Sequence, residues 1–196
     1  IGDGTTILTG ANTYSGITTI SAGTLQVGAG GTVGQLGTGA VTNNATLAFN
    51  RSNAMTVANA ISGTGGVSQI GSGTTSLTGA NSYSGTTTIS AGILSVGAGG
   101  TVGTLGSGSV VNNATLQLNR SDAVTVANDI SGTGALTKFG AGVATLTGSN
   151  AYTGTTTISV GTLNIGGGGT SGTLGTGNVV NNAALLMRLV WPVSTT

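Results

Sequence analysis

The sequence predicts an all-β solenoid, a parallel β-helix with about three coils per 69-residue repeat. Three observations lead there: a fixed internal period, an apolar–polar alternation of strand type, and glycine punctuation too frequent for helix. The period is carried by Thr9-Gly-Ala-Asn-Thr-Tyr-Ser-Gly16, which returns as Thr78-Gly-Ala-Asn-Ser-Tyr-Ser-Gly85 and Thr147-Gly-Ser-Asn-Ala-Tyr-Thr-Gly154, with the same offset both times. Laid without a gap over residues 78–146, residues 9–77 are identical at 47 of 69 positions. One module is therefore copied and stacked. Residues 1–8 are the end of a copy, 9–77 and 78–146 are whole copies, and 147–183 are a partial third. Residues 184–196 leave the pattern as a divergent tail or cap.

Within a module, Val, Ile and Leu alternate with Thr, Ser, Asn or Gln over four or five positions before a Gly or Asn cluster intervenes. That is strand period with turn punctuation. In the second copy the alternation predicts strands at 86–90, 93–96, 109–112, 115–118, 124–128, 136–139 and 144–147, with 97–108 as the longest turn-like insert. Helix is disfavoured, because 39 Gly and abundant β-branched Thr and Val each penalise it. Strands this short cannot each bury a face alone, so they must share one core along a stack. Regularly placed branched aliphatics argue against a disordered Gly/Thr linker. Three coils of about 23 residues, spaced by about 4.8 Å, would give a rod roughly 40 Å long.

Asparagine recurs about once per predicted coil, at Asn12, Asn81 and Asn150, at Asn43, Asn112 and Asn181, and at Asn59 and Asn128. These eight are candidates for an amide ladder along coil corners. Solvated turn asparagines are the alternative.

Charge is nearly absent: Arg51, Arg120, Arg188 and Lys138 stand against Asp3, Asp122 and Asp129, with no Glu, His or Cys. Four scattered cations make no basic stripe, so a nucleic-acid partner has no electrostatic basis. Nothing in the composition implies a cofactor, a metal or a disulfide scaffold. No apolar run approaches a membrane span, and no secretory signal opens the chain. Ile1 begins mid-module, so a longer precursor is expected.

No catalytic set emerges either. Arg120 and Asp122 invite comparison with a polysaccharide lyase, but a lyase needs more acids, and surface ion pairing accounts for the two more simply. Glycine runs such as Gly28-Ala-Gly-Gly-Thr-Val-Gly34 lack the lysine of a phosphate loop. Asn44-Ala-Thr46 and Asn113-Ala-Thr115 fit a glycosylation acceptor pattern that arises by chance in an Asn/Thr-rich chain. Tyr14, Tyr83 and Tyr152 share one module position and suggest either an aromatic stripe or rings covering the core edge with hydroxyls in water. The triplets Thr86-Thr87-Thr88 and Thr155-Thr156-Thr157 complete the candidate binding face, which would suit ice or polysaccharide.

The run Gly-Thr-Gly-Ala-Leu-Thr-Lys-Phe-Gly-Ala-Gly-Val-Ala-Thr-Leu-Thr-Gly-Ser-Asn-Ala-Tyr-Thr-Gly-Thr-Thr-Thr-Ile-Ser-Val-Gly-Thr-Leu-Asn-Ile, at 132–165, resembles the autotransporter-associated β-strand repeat of type V secreted passenger domains. Versions of it stand at 63–96 and 1–27, with Gln69 where the later copy has Lys138. The resemblance implies a right-handed β-helix, secretion through a C-terminal barrel that this chain does not contain, and an extracellular or outer-membrane stalk or adhesive role. The reading is a non-enzymatic structural or adhesive module. Its expected partners are itself, end to end into filaments, and host or bacterial surface glycans. The alternative is an ice- or polysaccharide-binding solenoid. In the tail, Trp191 and Pro192 suggest a plug over the last coil or an unrelated segment.

Overall fold

A computed structural model describes residues 2–189; Ile1, Trp191 and Pro192, and with them the proposed plug, lie outside the described residues. No helix occurs among those residues, and every strand pairing is parallel. The first eight strands are β1 (Thr5–Leu8), β2 (Thr18–Ile20), β3 (Thr24–Val27), β4 (Val41–Asn43), β5 (Thr46–Phe49), β6 (Met55–Val57), β7 (Ile61–Ser62) and β8 (Gly66–Gln69). The next eight repeat them: β9 (Thr74–Leu77), β10 (Thr87–Ile89), β11 (Ile93–Val96), β12 (Val110–Asn112), β13 (Thr115–Leu118), β14 (Val124–Val126), β15 (Ile130–Ser131) and β16 (Ala135–Lys138). The third series holds β17 (Val143–Leu146), β18 (Thr156–Ile158), β19 (Thr162–Gly169), β20 (Val179–Asn181) and β21 (Ala184–Leu189).

These strands stack into about nine turns. One face is β1-β3-β5-β8-β10-β12-β15, and a second is β6-β9-β11-β13-β16-β18-β20. The third carries β2-β4-β7 and, after an interruption, β14-β17-β19-β21. Inward residues alternate with outward ones, as in β9, β13 and β16, so Leu94, Leu116 and Leu136 line up in register on one face, and Leu47 and Leu163 from the other two faces join them in one continuous core. Burial of that shared face stabilises the stack, because each coil alone leaves both its edges unpaired.

The average coil is shorter than a third of the repeat, and this sharpens the relation between repeat and turn. Thr5 pairs with Thr24, Thr24 with Thr46 and Thr46 with Gly66, so three turns end at Gly66, while the repeat-equivalent of Thr5 is Thr74. The stretch from Gly66 to Thr74 carries the chain onto the next face. Accordingly β1 lies in the first sheet, its repeat-equivalent β9 in the second and β17 in the third. A module makes about three and a third turns, and equivalent residues are rotated by a third of a turn per copy. The start of the expected tail is still solenoid, since Ala184 to Met187 pair in register with Thr162 to Ile165.

Candidate functional site: the excursion loops and their staples

A largely exposed, glycine-rich excursion follows β3, β11 and the first half of β19. In the first two copies its tips are Ala29-Gly-Gly-Thr-Val33 and Ala98-Gly-Gly-Thr-Val102, with the valines 59% and 57% exposed. Glycine is required where the excursion turns: Gly103 has φ +109°, and a Cβ there would run into the Leu77 carbonyl.

Neighbouring coils staple each excursion through its carbonyls. Arg120, one coil on, donates Nη1 to the Gly103 carbonyl at 2.9 Å and Nη2 to the Thr101 carbonyl at 2.7 Å. Asn81, one coil back, donates Nδ2 to the Thr104 carbonyl at 2.7 Å. Asn128 donates to the carbonyls of Gly106 at 2.8 Å and Gly108 at 2.6 Å. The first copy repeats the set: Arg51 holds Gly34 and Thr32, Asn12 holds Gln35, and Asn59 holds Gly37 and Gly39. In the third copy Asn150 holds the Thr173 carbonyl at 2.7 Å, but Leu189 occupies the place of the arginine. A planar five-donor guanidinium suits this task, because it bridges two carbonyls and still reaches a carboxylate. Arg120 does so, pairing with Asp122 at 2.7 Å, and holds the Asp122 carboxyl below its ordinary value. The surface ion pair expected from sequence is thus present, but its arginine also clamps a loop.

The asparagines do not form the amide-to-amide ladder expected from their spacing. Their links run to backbone: Asn43 and Asn112 are buried and donate to the carbonyls of Gly66 and Ala135, both at 2.8 Å. Asn81 and Asn150 also accept from the amides of Ile61 and Ile130, replacing a strand bond where the sheet is interrupted. Asn181 is exposed and accepts from Ala183 N at 3.3 Å. The rotation of each repeat explains the difference, since equivalent asparagines fall on different faces.

The Thr/Tyr binding face is corrected for the same reason. Tyr83 and Tyr152 are fully buried, each with its hydroxyl 2.8 Å from Thr87 Oγ1 or Thr156 Oγ1, themselves buried. Their rings lie under Gly106 and Gly175, where any Cβ would stand 2.5 Å from a ring carbon. Burial pushes both phenols up. Tyr14 is 40% exposed and bonds Thr18 Oγ1 at 2.9 Å. Of the triplets, Thr86 is exposed, while Thr88, Thr155 and Thr157 are half-buried. No flat Thr/Tyr array results.

Sequence context assigns Lys138 no role, and the structure buries it, 1% exposed, at the end of β16. Its ammonium donates to the carbonyls of Gly140 and, at 3.2 Å, Val160. Desolvation pushes it below the usual lysine range. Gln69, its counterpart one repeat earlier, donates to Gly71 at 2.7 Å and leaves Oε1 without a partner. Among the described residues no group of His, Cys, Asp or Glu could hold a metal ion, and no helix is long and apolar enough to cross a membrane.

The sequence profile of the passenger-associated-transport-repeat matches residues 1–27, 67–96 and 136–165. Three segments of the chain are thus similar to this repeat. Each matched segment ends at β3, β11 or β19, immediately before or within an excursion, so the transport repeat supplies the coil from which each loop departs. The chain is also similar to the adhesin BmaC autotransporter of Brucella suis biovar 1 (strain 1330), at 38% identity over 186 residues. That alignment covers 85% of this chain and 5% of the relative's length. No solved structure matches the chain.

Proposed function

We propose that this chain is a length of extracellular, non-enzymatic β-solenoid that extends and displays an adhesive surface. The observation that carries the reading is the continuous parallel stacking of coils on two faces, with stapled glycine loops protruding from the rod. Passenger-associated transport repeats and the adhesin relative place it outside the cell or on the bacterial outer-membrane surface. Rotation by a third of a turn, with a rise of roughly 16 Å per repeat, aims successive loop tips in different directions around the rod. Such an array meets a partner surface from any side, and weak contacts add through effective concentration rather than through one deep pocket.

Surface glycans are the partner class proposed for the tips. Cells or beads displaying the chain are expected to adhere to glycan-coated surfaces, and replacing Val33 and Val102 by Asp is expected to reduce adhesion without unfolding the rod. Unchanged adhesion in that variant would sink the loop-tip reading, whereas equal adhesion to a glycan-free control surface would sink the glycan class. An edge coil also accepts a further coil in parallel register, from the same chain or from a second copy. Light scattering at rising concentration separates these, since growth in particle mass requires a second copy.

A further inference from the structure

The second excursion leaves a break in a sheet, between β7 and β14, and the first lies against the open edge of β6, the first strand of its sheet. Beyond the display role, we infer that this break is a docking site for an extended peptide, which would add as a short strand to the open edge of β14, with an equivalent site at β6. β14 pairs only with β17, and β6 only with β9, although each is preceded by a coil on the same face. That preceding coil, at residues 104–107 or 35–38, is drawn out of strand geometry by its excursion.

The direction of the free groups follows from the bonds that are made. Thr147 N donates to the Val126 carbonyl at 3.1 Å, so Val126 points its backbone toward β17. Successive peptide groups in a strand point to opposite sides, and Thr125 therefore aims its N–H and carbonyl at the break. No backbone hydrogen bond joins Thr125 to residues 104–108 among the described residues. Thr78 N donates to the Val57 carbonyl at 2.9 Å, which puts Thr56 in the same position one repeat earlier. Thr56 and Thr125 are both exposed.

The break is hollow as well as unpaired. A recess of about 410 Å³ lies between Asn81, Thr104, Leu105 and Ser107 on one side and Val124–Val126 with Asn128 on the other. Its equivalent, of about 220 Å³, lies between residues 35–38 and 55–59. An open strand edge offers a donor and an acceptor at fixed spacing, and the ligand chemistry that matches it is an extended peptide backbone. Near absence of charge in the lining favours a neutral segment with small or β-branched side chains.

A capped peptide of sequence Thr-Val-Thr-Val-Thr is a suitable probe, followed by amide exchange at Thr125 and Thr56. At ten times its dissociation constant it is expected to slow exchange at Thr125 about tenfold. The same peptide N-methylated at its central residue should have no effect, because it cannot donate to the edge. Ser107→Phe, which fills the larger recess from an exposed position, should abolish the effect at Thr125 and leave that at Thr56. No change at either threonine up to millimolar peptide, or equal protection by the methylated probe, would overturn the proposal, with folding of Ser107→Phe checked by circular dichroism. Adhesion by the loop tips is read separately, so either result can fail alone.

Discussion

The second and third excursions share the staple from Asn81 or Asn150 and the tyrosine beneath, while Arg120 and Asn128 hold the second in addition. Residues 97–108 are held by Arg120; at 166–177 the corresponding position is Leu189, and Arg188, one place early, is exposed. Without the guanidinium the third loop does not close as a turn. It runs on as the end of β19, with three successive glycines at positive φ and a register shift before Gly169 meets Leu189. The first excursion, which has Arg51, copies the second. Tyrosine and asparagine therefore anchor the returning half of each loop, while arginine shapes its exposed half.

The largest effect should come from the half that both loops share. Gly106→Ala and Gly175→Ala each force a Cβ against a tyrosine ring and backbone, and each is expected to cost about 3 kcal/mol, read by chemical denaturation. A large cost at Gly106 with none at Gly175 would break the claim that the two loops are anchored alike. Next comes the half that differs: Arg120→Ala should cost about 2 kcal/mol through two lost carbonyl bonds and one lost ion pair. Leu189→Arg should move the third loop toward the geometry of the second, seen as slower amide exchange there.

A smaller effect concerns Lys138 against its neutral counterpart Gln69. Its folded pKa is depressed by burial, so the charged form of the amine is penalised in the fold, and that penalty is relieved as pH rises through the folded value toward the ordinary lysine value. The stability difference between wild type and Lys138→Gln should thus move in favour of wild type across that alkaline window. Taking the difference cancels the tyrosines, whose raised pKa values cost stability above the ordinary phenol value in both proteins. A pH-independent difference would show that the amine is solvated. Smallest of all is Asp122→Asn, which recreates the Arg51–Asn53 contact of the first repeat, 2.9 Å long. The Asp122 carboxylate pKa is depressed, so its contribution is present above the ordinary carboxylate value and lost as pH falls through the folded one; acid titration of wild type against the variant measures it.

Much of the fold is legible in the sequence because apolar alternation is a local signal. Residues 93–96 and 115–118 coincide with β11 and β13, and 97–108 contains no strand. β15 is not legible, since two residues carry no period. The turn count is legible only coarsely: the repeat divides evenly by three, and nothing local reveals that coils such as Thr5 to Thr24 and Thr24 to Thr46 fall short of that third and leave a remainder. That remainder is why Tyr14, Tyr83 and Tyr152 make no stripe. The arginine clamp does leave a signal, namely Arg51 and Arg120 at one module position, each preceded by a glycine run, Gly30-Gly31 or Gly99-Gly100.

Residue-resolved hydrogen exchange over the two loops tests the arginine clamp most directly. Amides at 99–104 are expected to exchange about tenfold more slowly than those at 168–173, equivalent to about 1.4 kcal/mol of local stability, and Arg120→Ala should bring the second loop to the rate of the third. Equal rates in the wild-type chain, or a second loop whose protection survives the loss of Arg120, would contradict the account.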